Sequence, residues 1–398
     1  EILMESLDTD ILIIGGGVAG SAMACSLKNK GYKVILVEKS DKPQDTARGD
    51  HIQPSVCEIL ERWNVLNDFI KAGAQKRAGS LWYDEHGNFL MDANVSKLNI
   101  PHPYFLYLNH ENISEVLLDS VSSDKKFHMY RPILQCTHIE SNENRSMFKL
   151  VLKDKTEYEI STKLIVGADG IASNISKTFS IERESFRYER ALAVLFSKDY
   201  QLDEVNNLKT FLTDRGIVTM IPRANGGCKV GLTIGREEVK EWKKLTAEQY
   251  GEFISGLVPS LKDITVENAG IYPPTMIKAN QWTKNNLVLI GDACHGLHPG
   301  RSQGMNTTIK CIDQLMEFLP KPDSFVIDEI KQALSVYETQ VRPEIEDLLR
   351  KNHQIGLSMD NFDHQSKVDE INKYIELEKN DKAAHDYRMN SAGYGMNS

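Results

Sequence analysis

Apolar residues follow two rhythms along this chain. The first is short and unbroken. It covers Ile11–Ile14, Tyr32–Val37, the apolar start of the stretch Lys163–Ser173, and Asn286–Gly291, and such runs suit strands buried on both faces. The second recurs every three or four residues. In Ser55–Phe69 it places Val56, Ile59, Leu60, Trp63, Leu66 and Phe69 on one helical stripe. Helices are likewise predicted over Ile113–Val121 and Thr246–Leu257. Another runs from Gln303 to Leu319, with Met305, Ile309, Ile312 and Met316 inward, and is stopped by Pro320 and Pro322. A long amphipathic pattern runs from Phe325 to Leu357, where Pro343 predicts a kink or break. Strand patterns broken by turns occupy Leu81–Met91 (around Glu85–Asn88), Tyr104–Leu108, Met147–Leu152, Tyr158–Ile160, Leu192–Phe196, Ile217–Ile221 and Cys228–Ile234. From about Asp360 the chain is polar and lysine-rich, and its last residues are expected to fray.

The stretch Asp10–Glu38 organises the rest. A buried strand leads into Gly15-Gly16-Gly17-Val18-Ala19-Gly20, then a helical run to Lys30, then a second strand ending on Glu38, with Lys39 opening the polar loop after it as a further cofactor-binding candidate. This is the dinucleotide-binding βαβ order. Gly15 permits the tight turn, Gly17 lets the backbone approach a pyrophosphate, and Gly20 lets helix and strand pack closely. The helix start at Val18 and Ala19 offers free N–H groups and a positive dipole end to phosphate. Glu38 is placed to accept hydrogen bonds from the adenosine ribose, and its charge disfavours a 2′-phosphate in this slot. The motif alone leaves FAD and NAD open. Two further strand ends carry an acid beside a glycine: Asp169-Gly170 and Gly291-Asp292.

These anchors return at intervals, with strand-rich stretches between them. The expectation is an α/β protein in which a Rossmann-like domain (1–75, 101–180 and 276–324) is interleaved with a β-sheet substrate domain (76–100 and 181–275). Residues 325–398 supply C-terminal helices and a tail, the first helix bridging the two. No internal repeat or low-complexity segment is read.

Composition narrows the classes. Hydrophobic residues make up 41% and charged residues 26% of the 398, as in globular proteins. A net charge of -9 argues against non-specific nucleic-acid binding. No apolar run reaches membrane-spanning length, and no cleavable signal is read. Six cysteines (25, 57, 136, 228, 294 and 311) are scattered without a Cys-x-x-Cys pair, which fits reduced thiols in a cytoplasm.

Together the three glycine–acid anchors resemble the group A flavoprotein monooxygenases, the para-hydroxybenzoate hydroxylase family, which includes tetracycline-inactivating enzymes and quinolone and polyketide hydroxylases. The resemblance covers about residues 8–345. It implies non-covalent FAD, NADPH or NADH as transient reductant, and O2. The implied reaction is hydroxylation of an aromatic or polycyclic small molecule through a flavin C4a-hydroperoxide. By position, Asp292 matches the acid that bonds the ribityl chain. Pro299 to Asn306 matches the loop and helix start that face the flavin ring, with the amides of Gly304, Met305 and Asn306 toward its pyrimidine edge. Arg48 matches an arginine near the flavin and pyrophosphate, His51 offers backbone near the ring, and Asp169 belongs to an acid–glycine motif that supports cofactor handling. Departures from the pattern are Ser302 for a glycine, Ser176 followed by Lys177 for an arginine, and His110 for an arginine. The two replaced cations bear on how the nicotinamide donor docks.

The substrate pocket is expected between FAD domain and sheet, lined by Phe196, Phe211, Met220 and Pro299. The chemistry resides in the flavin, so no catalytic side chain is assigned. Cys294, His295 and His298 invite a metal reading, but no second ligand pair follows at finger spacing, so no metal is assigned. Three rivals are weighed. A flavin halogenase would carry two tryptophans in the frame Gly216–Pro222, and both are missing. A geranylgeranyl-reductase-like flavoprotein shares the FAD anchors. A non-catalytic FAD- or ligand-binding protein is the third. A monomer or homodimer without stable membrane insertion is expected.

Overall fold

The structure, a computed structural model, describes residues 4–43, 51–200, 206–223, 226–298 and 303–395. Glu5–Ile14 lies at the centre of its larger sheet. Glu157–Gly167 pairs parallel to it on one side and Val34–Val37 on the other. The path is Thr283–Lys284, Leu287–Leu289, Glu157–Gly167, Glu5–Ile14, Val34–Val37, Phe127–Tyr130, with Ser146–Leu152 and Ile133–Ser141 forming an antiparallel flap. The runs Ile11–Ile13, Leu164–Val166 and Leu287–Leu289 are at most 1% exposed, as strands covered on both faces must be. Register then does the important work. Ile14 is level with both Gly167 and Val37, and Gly167 is level with Leu289. The glycine turn, Glu38, Asp169 and Asp292 therefore all emerge from one carboxyl edge of the sheet, where open α/β folds bind ligands.

The first helix, Val18–Leu27, packs against Gln303–Phe318 and against His110–Val121. It is buried from Gly20 to Leu27 with no polar face, which suits a helix sandwiched between other elements.

A second sheet of seven strands runs Glu267–Tyr272, Arg190–Ser197, Cys228–Gly235, Gly216–Pro222, Asn207–Thr213, Gly79–Asp84, Phe89–Asp92. One of its faces is covered by Ala247–Leu257. There Ala191, Ala193, Leu195, Phe211, Val218, Met220, Val230, Leu232 and Ile234 join Tyr250 and Ile254 in a separate core. Thr246 opens that helix with a capping box to Gln249.

Three segments differ from the sequence reading. Ser55–Phe69 is two helices, Pro54–Arg62 and Leu66–Lys71, because Asn64 takes a left-handed turn (φ 57°), although all six stripe residues are buried. Tyr158–Ile160 and the run after Lys163 are one continuous strand, Glu157–Gly167. Pro343 does not break the C-terminal pattern, and Ile327–Asp360 is a single helix. Arg342 bonds Glu338 and Glu346 on either side of the proline, each at 2.7 Å. Val341 and Ile345 stay buried across it, so packing holds the helix through the missing N–H.

This long helix touches both parts of the molecule. Glu338 accepts from the amides of Trp282 and Thr283 at 3.0 and 2.8 Å, and Asn352 pairs with the backbone of His298 in both directions. Asp360 accepts from the amides of Glu189 and Arg190, at the start of the second sheet. The polar end is helical from His364 to Tyr394, and residues 396–398 lie outside the described ones. Helices His364–Lys379 and Asp381–Met389 lie on the second sheet, with Tyr374 stacked on Trp82 at 4.0 Å. Asn390–Tyr394 then returns to the first layer, where Ala392 is fully buried.

Candidate active site

The glycine turn has the geometry its sequence predicts, for reasons that can be read atom by atom. Gly15 sits at φ +113°, and a Cβ there would lie 2.1 Å from the Ala168 carbonyl oxygen. A Cβ on Gly20 would lie 1.8 Å from the Gly15 oxygen. These two glycines are required by packing. Gly17 differs: it is exposed, and a Cβ there would meet nothing within 4 Å. A protein-free space therefore opens in front of the helix N-terminus, where Val18 and Ala19 are half-buried and first-turn N–H groups lack helical acceptors. A pyrophosphate fits this cradle. Glu38 closes its far side, accepting from the Gly16 amide at 2.9 Å and the Ser40 amide at 2.8 Å. Each carboxylate oxygen keeps a lone pair for a ribose hydroxyl. Lys39 is exposed.

Asp292 lies in the turn Gly291–Ala293 and is half-buried. A Cβ on Gly291, at φ +64°, would lie 2.7 Å from the Ala19 Cβ. The turn is thus pressed against the start of the first helix, and Asp292 stands beside the phosphate cradle. Asp169 is placed differently. Its carboxylate accepts from Ser173 Oγ at 2.5 Å and from the amides of Asn174 and Ile175 at 2.8 and 3.0 Å. It caps the short helix Asn174–Thr178, and this local duty accounts for the acid at that strand end.

The helix Gln303–Phe318 begins at the same edge. Gly304 and Met305 are half-buried, and a Cβ on Gly304 would meet nothing within 4 Å. First-turn amides facing open space suit the electron-rich edge of a flavin. Asn306 is 2% exposed and acts as a clamp: its Oδ1 accepts from the Gln53 amide at 2.9 Å and its Nδ2 donates to the His51 carbonyl at 2.9 Å. His51 is therefore held by its backbone. Its ring lies against Tyr107 at 5.0 Å, and burial pushes its pKa down to about 3, so the imidazole is neutral. Arg48 and Pro299 lie outside the described residues.

The pocket expectation needs correction. Phe211 and Met220, 4% and 0% exposed, point into the core beneath Ala247–Leu257, on the face of the sheet away from His51. Period-two alternation decides this: Phe211, Val218, Met220 and Val230 share the helix-covered face. Phe196 is half-buried, on the opposite face, with the Arg223 guanidinium 4.0 Å from its ring centroid. That opposite face also carries Lys229, Gly231 and Thr233, since they alternate with Val230 and Leu232.

Two residues at the junction escaped the sequence reading. Arg77 is 2% exposed, and its Nη2 donates to the Pro222 carbonyl at 3.3 Å. It also bonds Gln75 and lies 5.4 Å from the Tyr107 ring centroid. Lys229 is 5% exposed. The only sequence signal for Lys229 was a lysine alternating with four apolar residues in a strand. For Arg77, in a three-residue strand, there was none.

His295 and His298 are buried and neutral, their pKa values lowered to about 4 by desolvation. Cys294 is fully buried and burial raises its thiol pKa well above the ordinary value. Among the described residues no group of three His, Cys, Asp or Glu side chains is placed to hold a metal.

Comparison with known proteins gives the family and the fold. The profile of the family described as FAD binding domain matches residues 8–322. The chain is 24% identical to 3-demethoxyubiquinol 3-hydroxylase of Escherichia coli (strain K12), over 92% of this chain and 90% of that protein. It is also 24% identical to pentachlorophenol 4-monooxygenase of Sphingobium chlorophenolicum, over 88% of this chain and 64% of that one. The fold of p-nitrophenol 4-monooxygenase from Pseudomonas putida DLL-E4 superposes with a TM-score of 0.83 at 16% identity, covering 99% of this chain and 100% of that one. The chain belongs to the FAD-binding domain family, within the flavoprotein monooxygenases of the para-hydroxybenzoate hydroxylase group.

Proposed function

We propose that this FAD-dependent monooxygenase hydroxylates an aromatic or polycyclic small molecule held between the carboxyl edge of the first sheet and the Lys229 face of the second. The observation that carries this is the open cradle at Gly17 and Gly304 on one edge, with a buried polar junction at His51, Arg77 and Lys229 beside it. The residues fit FAD. Gly15, Gly17, Gly20, Val18 and Ala19 would hold the pyrophosphate, and Glu38 the adenosine ribose. Asp292 would hold the ribityl chain and the Gly304–Asn306 turn the ring. Bound there, FAD supplies reduction by NADPH or NADH and activation of O2.

The chain's own residues bind, orient and exclude water. The first-turn amides at Gly304 and Met305 favour negative charge on the ring edge. Asn306 fixes the segment His51–Gln53 that borders it. Neutral His51 and the apolar ring of Tyr107 keep that border dry. A halogenase reading has no support from Gly216–Pro222, whose inner positions are Val218 and Met220. Six unpaired thiols, five of them buried, suit a cytoplasmic setting, and a monomer or homodimer is the assembly we favour. No helix among the described residues is long and apolar enough to cross a membrane.

The test is purified protein with its flavin spectrum, then NAD(P)H consumption against phenols, aromatic acids and quinolones. The expected result is release of free FAD on acid denaturation and consumption accelerated by at least one compound. Flavin retained on the precipitate, or consumption indifferent to every compound, contradicts the reading.

A further inference from the structure

The buried stripe of the long helix Ile327–Asp360 changes character near its end. Val341, Ile345 and Leu349 are large and apolar, but the next two buried positions, at steps of three and four, are Asn352 and Gly356. Neither is a good helix former, and an amide that is 1% exposed is costly unless it is bonded. Both residues face His298. Asn352 Oδ1 accepts from the His298 amide at 2.6 Å, and its Nδ2 donates to the His298 carbonyl at 3.1 Å. One side chain thus satisfies both backbone groups of a residue that belongs to no helix or strand. A Cβ on Gly356 would press on the Tyr188 ring and lie 3.0 Å from His298 Cδ2, so the missing side chain makes room for both rings. Those rings, 1% and 3% exposed by residue, meet edge to face at 4.7 Å. The Tyr188 hydroxyl in turn lies 2.8 Å from Nδ1 of His353, on the same helix.

We infer that Asn352, Gly356 and Tyr188 form a socket for His298 and are positioning residues for the flavin. His298 stands five residues before Gln303, where the flavin-facing helix starts. The turn Gly304–Asn306 therefore lies, along the chain, between two asparagine clamps. Asn352 holds His298 before it, and Asn306 at its end holds His51 and Gln53. The socket also draws on both parts of the molecule. Tyr188 leads directly into Glu189 and Arg190, whose amides the same helix binds through Asp360, and Arg190 opens a strand of the second sheet. A shift of that sheet is thereby passed to His298 through packed rings and a fixed backbone, with the long helix as the common base. The inference deepens the proposed function and rests on its placement of the flavin ring at Gly304–Asn306.

The test uses holoenzyme. Asn352→Leu keeps the bulk and removes both bonds to His298. Asn352→Asp keeps the shape and one acceptor but sets a carboxylate oxygen against the His298 carbonyl. Tyr188→Phe removes only the bond to His353. Leu349→Ala, one turn earlier on the same stripe and 2% exposed, is the control for lost helix packing. The visible absorption of the oxidised flavin and its midpoint potential are read first, without substrate, so this outcome is separate from that of oxygen transfer. Steady-state kinetics follow, with the compound that most accelerates NAD(P)H consumption. At wild-type FAD content, both Asn352 variants should shift the spectrum and the potential. They should lower kcat about tenfold while KM changes less than about threefold. Tyr188→Phe should move the same readings in the same direction by less, and Leu349→Ala should lower the melting temperature alone. If Asn352→Leu does not fold, Asn352→Asp and Tyr188→Phe carry the test. Unchanged spectrum, potential and kcat in a folded Asn352 variant overturn the inference. So does an equal shift in Leu349→Ala, which would reduce the socket to packing. A flavin signature that moves with Asn352 in a protein that transfers no oxygen leaves the socket standing and overturns the monooxygenase reading alone.

Discussion

Three glycines of one motif answer to different forces, and single substitutions separate them. Gly20→Ala drives a methyl carbon into the Gly15 carbonyl, a backbone atom that cannot yield. The expected outcome is a loss of about 3 kcal/mol or more, or insoluble protein, read by thermal melting. Gly17→Ala meets no protein atom, and φ -72° suits alanine. That variant should fold normally but bind FAD at least about tenfold more weakly, because its methyl enters the pyrophosphate cradle. Equal flavin affinity would mean that the phosphate lies elsewhere. Asp292→Ala removes charge-assisted hydrogen bonds of about 1.5–3 kcal/mol each and should weaken flavin retention at unchanged melting temperature of the apoprotein. Asp169 teaches the opposite lesson. The same acid-beside-glycine signal marks it, yet its carboxylate is used on a helix cap. A motif identifies which residue stands at a strand end, whereas the partners of its side chain depend on the next few residues folding back.

At the scale of elements, the C-terminal quarter is where periodicity and structure part company. The amphipathic stripe Ile327, Ile330, Leu334, Tyr337, Val341 was legible and is buried. The continuity of the helix through Pro343 was not, because it depends on Arg342 reaching Glu338, Glu346 and the carbonyl of Asn280. The long helix anchors the turn at Trp282, the loop at His298 and the start of the second sheet at Glu189. Truncation before Phe325 should therefore give insoluble or flavin-poor protein, and a soluble, fully flavinated product would contradict this role. The last turn is a sharper case. Polarity alone ties nothing after Met389 to the rest of the molecule. Instead Gln53 donates to the Ser391 carbonyl and Lys310 to the Gly393 carbonyl, both at 3.3–3.4 Å, and Tyr394 bonds Glu58. Gln53 is the residue whose amide Asn306 holds. Removing residues after Met389 should loosen the flavin-facing segment, lower FAD affinity and raise NAD(P)H oxidation that yields hydrogen peroxide without product. Coupling and affinity unchanged in the truncated chain would show that the turn is passive.

For the whole molecule, the dinucleotide layer was readable because a buried parallel strand, its glycine turn and its acid are contiguous in sequence. The junction between sheets was not, because Arg77, His51 and Lys229 meet only after separate segments fold. Phe211 and Met220 were misplaced since hydrophobicity marks a buried side chain without saying which face of the sheet buries it. Burial of imidazoles adds a global property. His51, with pKa about 3, and His295 and His298, with pKa about 4, are neutral when folded and titrate near 6.5 when unfolded. Between those values the unfolded chain binds more protons, so their stabilising contribution is complete above about pH 6.5 and declines as pH falls. At pH 5 the loss is about 2 kcal/mol for each. Melting temperature should fall steeply from pH 6.5 to 4, and His295→Asn should flatten that slope. A flat profile would show that these rings gain water before unfolding.

In the proposed function the chain uses a flavin at this edge to insert one oxygen atom into an electron-rich ring. Turnover under isotopically labelled O2, with the compound that most accelerates NAD(P)H consumption, tests it directly. The expected result is one labelled oxygen atom per product molecule and none drawn from water. Product oxygen derived from water, or turnover that proceeds equally well without O2, would contradict it and favour a flavin reductase.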